Sequence, residues 1–175
     1  MWETLNQLQR DGTLVDLKLY STSLYCFVSR VSADFAVLSV VTNKCEFDGI
    51  AIVRTEDVCG ARWGTRRLKA WEKVLAESPS APEPSGFIDL ASWESVVLSL
   101  KDRVDMLSFQ EQNSDRDWFI GTNITIQGNS LQADELDNDG GTFGRFSLPV
   151  DGLLRIDYNG RYENTLTRLA EKRKG

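Results

Sequence analysis

Short segments in the first half of this 175-residue chain return in the second half in the same order. Trp2-Glu3-Thr4 returns as Trp93-Glu94-Ser95, and Arg10-Asp11 as Lys101-Asp102 at the same offset. Val15-Asp16-Leu17 matches Val104-Asp105-Met106, and Phe27-Val28-Ser29 matches Phe119-Ile120-Gly121. Further on, Asp48-Gly49-Ile50 matches Asp151-Gly152-Leu153, and Arg62-Trp63 matches Arg161-Tyr162. A duplicated unit of roughly 80 to 90 residues constrains the fold strongly, because each copy must bury its own core at a size where burial is marginal. Between the copies, residues 78–86 read Ser-Pro-Ser-Ala-Pro-Glu-Pro-Ser-Gly. Prolines at this density forbid a helix and disfavour a central strand, so the segment reads as a spacer. The expected division is a first copy at 1–77, a linker at 78–86 and a second copy at 87–175.

Hydrophobic periodicity gives the elements of each copy. Trp2, Leu5 and Leu8 share one helical face, and Asp11-Gly12 ends that helix. Val15, Leu17 and Leu19 then alternate with Asp16, Lys18 and Tyr20, the pattern of a half-buried strand. Strands are predicted at 24–31, 35–42, 49–53 and 58–63, with turns at Asn43-Lys44 and Asp48-Gly49. Leu68, Trp71, Val74 and Leu75 recur at helical spacing, predicting a helix over 65–77. In the second copy Ser92 caps a helix reaching Leu100. Strands follow at 104–110, 118–127, 131–136, 143–148, 152–158 and 161–165, with a frayed helix or tail at 166–174.

A lone sheet of about five short strands leaves one hydrophobic face uncovered, and closure into a strongly bent barrel removes that problem. The expected fold is therefore β-rich α+β: two tandem small antiparallel five-stranded barrels, each preceded by a short helix. A helix followed by five bent strands resembles the Sm-like or SH3-like small-barrel group. The run from Val15 through Phe47-Asp48-Gly49-Ile50 to Val58, with Arg54-Thr55-Glu56-Asp57 inside it, resembles small bacterial proteins carrying an aromatic-Asp-Gly-aliphatic strand. The resemblance implies a fold and transfers no chemistry. The Arg-Gly pair that Sm proteins use on RNA is not repeated, since Arg54 precedes Thr55 and Arg155 precedes Ile156.

Composition narrows the function. The chain has no histidine, which removes the Ser-His-Asp and Cys-His arrangements and the commonest metal ligand. Its three cysteines, Cys26, Cys45 and Cys59, lack Cys-x-x-Cys spacing and fit reduced thiols. No apolar run approaches the ~20 residues needed to cross a bilayer, and the opening residues do not form a charged-then-apolar leader. A cytoplasmic protein without a membrane segment is expected, with no catalytic residues, no metal and no cofactor. The net charge is −6 and unevenly divided. Residues 1–86 hold ten Lys+Arg against eleven Asp+Glu, and residues 87–175 hold ten against fifteen.

Two clusters are candidates for partner binding. Glu111, Asp115 and Asp117 lie in one loop ahead of Trp118-Phe119, and Asp134, Glu135, Asp137 and Asp139 lie around a predicted hairpin tip. The second group echoes an EF-hand calcium loop, but the position that demands a bidentate Glu holds Phe146. Acidic loops beside aromatic surface suit a basic protein partner, where charge speeds association and buried aromatics supply affinity. That pattern predicts a non-enzymatic inhibitor of bacterial or phage type, an immunity or anti-defence protein that blocks a basic toxin or nuclease. The alternative is nucleic-acid binding through a basic and aromatic face made of Arg62, Trp63, Arg66, Arg67, Lys69 and Lys73.

Overall fold

Helix α1 (Trp2–Asp11) forms where the spacing of Leu5 and Leu8 places it, and both leucines are buried. Gly12 ends it in the left-handed region at φ 58°, returning its N–H to the carbonyls of Leu8 and Gln9. The computed structural model describes residues 1–20, 22–78, 86–112 and 118–174, and the chain divides into two compact units, Met1–Gly86 and Phe87–Gly175. Residues 79–85 of the expected linker lie outside the described residues.

In the first unit α1 is followed by β1 (Leu14–Leu19), β2 (Ser23–Val31), β3 (Phe35–Val41), β4 (Phe47–Arg54), β5 (Val58–Trp63) and helix α2 (Arg66–Ala76). All the strands are antiparallel, in the order β5-β1-β2-β3-β4. Val15, Leu17 and Leu19 of β1 share a face with Leu24, Cys26 and Val28 of β2, and Leu5 and Leu8 of α1 pack into that cluster. The opposite face collects Leu14, Tyr25, Phe27, Val41 and Phe47, covered by Leu68, Trp71 and Leu75 of α2. Burying Leu68 and Leu75 contributes about 1.5–3 kcal/mol each. Because helices cover both faces, β3 is buried at all seven positions and shows no alternation.

This arrangement corrects the closed barrel. The structure shows a β-rich α+β fold with five antiparallel strands in each unit, but β4 and β5 stand at opposite ends of the first unit's row. The hydrophobic face that closure was expected to hide is hidden by α2 instead. The predicted turn at Asp48-Gly49 is also corrected. Both residues lie inside β4, where Gly49 takes φ 79° and the register against β3 shifts nearby. A residue with a side chain rarely adopts that angle, so the glycine marks a strand irregularity rather than a turn.

The second unit runs α3 (Trp93–Leu100), β6 (Leu107–Glu111), β7 (Phe119–Gln127), β8 (Ser130–Leu136), β9 (Thr142–Pro149), a 3-10 turn (Val150–Gly152), β10 (Leu153–Tyr158) and α4 (Arg161–Lys174). Its strand order is β10-β6-β7-β8-β9, also antiparallel. Ser92 caps α3 by accepting the Ser95 N–H at 3.1 Å. The predicted strand at 161–165 is instead the first turn of α4, where the Thr165 hydroxyl donates to the Arg161 carbonyl at 2.7 Å. Leu166 is buried, and the Ser108 hydroxyl donates to the Glu163 carboxylate to tie the helix to β6.

Several matches in the repeat therefore fall on different elements, among them Val15-Asp16-Leu17, which lies in β1, against Val104-Asp105-Met106, which precedes β6. Asp48-Gly49-Ile50 belongs to β4 whereas Leu153 opens β10, and Arg62 lies in β5 whereas Arg161 opens α4. Trp2 and Trp93 each open the first helix of their unit, and Phe27 and Phe119 each lie in its second strand.

Candidate functional site

The acidic candidates are mostly engaged within the second unit. Asp115 and Asp117 lie outside the described residues. Glu111 ends β6 at the same end of the sheet as the β8–β9 tip, since Phe109 pairs with Phe119 and Gly121 with Glu135. Asp134 accepts the Asn123 amide at 2.7 Å and pairs with Arg145 of β9 at 3.2 Å. Glu135 is half-buried, opposite Gly121 on one side and Gly144 on the other. Asp137 accepts backbone N–H groups from Gly141 at 2.7 Å and Asp139 at 2.9 Å. The Gly141 N–H is the main reason its carboxyl is held below the usual carboxylate range. Asp139 stands 3.5 Å from Arg173 of α4, and the Tyr162 hydroxyl donates to Asn138 at 2.9 Å. At the tip, a Cβ on Gly140 would come within 2.8 Å of the Ala170 nitrogen, so the turn lies against the α4 backbone. These acids build the hairpin and fasten it to α4.

The basic candidates divide into three groups. Arg62 of β5 pairs with Asp16 of β1, and Asp16 lies opposite Tyr25 of β2, so the three form one row across the sheet. Donating to the Asp16 carboxylate raises the Arg62 pKa. Trp63 is displaced from that row. It opposes Val15, which points toward the α1 side, and it remains 49% exposed. Arg67 donates to the Tyr25 hydroxyl, and its guanidinium lies 4.8 Å from the centres of both the Tyr25 and Trp71 rings. Those two rings meet edge-on at 5.1 Å.

Arg66, Lys69 and Lys73 form the third group. With Gly64 and Ala70 they line an open depression of about 520 Å³ along the outer side of α2. Among the described residues no ion pair engages any of the three. Thr65 fixes the start of this helix by accepting the Leu68 N–H at 3.3 Å. Glu72 fixes its middle by accepting the Leu14 N–H at 2.8 Å. No local pattern marks Asp16 or Tyr25 as parts of this face, because each meets its arginine across more than forty residues of chain.

Neither a family model nor a curated protein matches the sequence. Among solved structures, the crystal structure of YcgR in complex with c-di-GMP from Escherichia coli is 11% identical, covering 98% of this chain and 88% of that one. The TM-score is 0.20, too low for the likeness to carry an argument. The outer side of α2 carries three cations on one helical stripe with no carboxylate among the lining residues. Among the described residues, no group of three or more His, Cys, Asp or Glu is placed to hold a metal ion. Among the described residues, no helix is long and apolar enough to cross a membrane either.

Proposed function

We propose that this chain is a non-catalytic binding protein that contacts the phosphate backbone of a nucleic acid through the outer side of α2. The observation that supports this reading is the stripe Arg66, Lys69 and Lys73, exposed and engaged in no ion pair among the described residues. The seven steps from Arg66 to Lys73 span about 10 Å of helix axis. Each strand of a B-form duplex presents a phosphate about every 3.4 Å of helix axis, so a stripe of this length can give each of its three cations a phosphate. A basic protein partner for the acidic loops has less support, because Asp134, Asp137 and Asp139 already have partners within their own unit.

The test is a fluorescence-anisotropy titration of the whole chain with short single-stranded DNA and RNA at rising salt. Three phosphate contacts to a single strand predict a slope of log K against log salt near about −2. The triple variant Arg66→Ala/Lys69→Ala/Lys73→Ala is expected to lose nearly all binding while melting at the same temperature as the parent. Binding that ignores salt, or survives the triple change, would refute the proposal.

A further inference from the structure

Arg67 lies within the same basic segment as the stripe, yet its surroundings give it a different task. At about 100° per residue, Arg66, Lys69 and Lys73 fall within about 60° of one another around the α2 axis. Arg67 falls roughly 100° or more from each of them, on the flank toward Trp71 and the buried Leu75. Two rings bracket its guanidinium at 4.8 Å each, and one of its N–H groups is given to the Tyr25 hydroxyl. On the other flank, Glu72 holds the Leu14 N–H at 2.8 Å. With Leu68 and Leu75 buried beneath, the helix is held at both flanks and its base, which leaves the stripe facing outward.

We infer that Arg67 is a positioning residue: it binds no phosphate, and by clamping α2 to the Tyr25 and Trp71 rings it sets the direction in which Arg66, Lys69 and Lys73 point. This inference rests on the proposed nucleic-acid contact for its functional meaning, but the clamp itself can be measured without ligand. A planar guanidinium stacks on ring faces and a lysine ammonium does not reproduce that fork, so Arg67→Lys breaks a clamp while preserving a charge.

Two measurements on the whole chain decide it. In hydrogen exchange on the free protein, Arg67→Ala and Arg67→Lys should both lower protection of the α2 amides, by roughly tenfold, and leave the α1 amides unchanged. Unchanged α2 protection overturns the inference, and so does a loss shared equally with α1, which would mark general destabilisation. In the anisotropy titration both variants should bind single strands more weakly, with the salt slope kept at the parent's value. A slope reduced by about 0.7 in Arg67→Ala, together with parental binding by Arg67→Lys, would make Arg67 a phosphate contact and overturn the inference. If the parent binds no nucleic acid, the proposed function falls while the exchange result still decides the clamp.

Discussion

At the scale of single residues, the structure separates side chains that sequence order had grouped together. Arg62 and Trp63 are neighbours in the chain, but strand alternation sends Arg62 to the Asp16 row and Trp63 to the Val15 side. Asp16 thus withholds a cation from the α2 side of the sheet. Releasing Arg62 with Asp16→Ala should tighten single-strand binding and steepen the salt slope by up to about 0.7, measured by anisotropy. A second residue with a distinct signature is Asp57, whose Oδ2 is buried with no hydrogen-bond partner among the described residues. Burial pushes its carboxyl above the ordinary range, with Arg54 opposing the shift and Glu56 adding to it. A carboxyl whose folded-state pKa is raised costs stability once it ionises, so that cost grows as pH rises from the unfolded value through the folded one. Asp57→Asn is therefore expected to stabilise the fold at pH 7 by less than about 1 kcal/mol after solvent screening, seen as a higher melting temperature, and to give no gain below about pH 4. Thermal melts of both proteins across that range check it.

At the scale of elements, legibility followed the range of the forces involved. Helix α1 was readable because Leu5, Leu8 and Gly12 carry a local signal, and β1 because its apolar residues alternate. The segment at 161–165 was misread as a strand because Tyr162 and Thr165 favour strands locally, while burial of Leu166 and the bond from Ser108 to Glu163 decide for helix. The acidic hairpin was legible as a turn but not as a docked one, since Gly140 meets α4 from thirty residues away. Gly140 combines φ 75° with a backbone contact that leaves no room for a Cβ. Gly140→Ala should cost about 1–3 kcal/mol in a thermal melt and raise hydrogen exchange along α4. Gly121 in β7 makes a similar demand, because a Cβ there would meet the Ala133 Cβ at 2.7 Å and the Phe146 ring at 3.0 Å. Loss of β7–β8 protection in Gly121→Ala is the corresponding expectation, read by the same exchange experiment.

At the scale of the whole molecule, the duplication extends to topology: each unit runs helix, five strands, helix, with the fifth strand beside the first. The sequence matches located the first helix and the second strand of each copy but slipped by an element near the ends. Short motifs such as Asp-Gly recur wherever a chain bends, so they do not hold register over long distances. Charge behaves differently in the two units. The second unit's acids serve its own hairpin, whereas the first unit's α2 presents cations that make no ion pair among the described residues. A protein of net charge −6 can still bind phosphate if its cations converge on one stripe, because the local field rather than the total sets the contact. Mapping backbone amide NMR shifts of the whole chain during titration with short single-stranded DNA tests this most directly. The largest shifts are expected within residues 64–73 and should fade at high salt. Shifts centred on residues 134–141, or none at all, would contradict it.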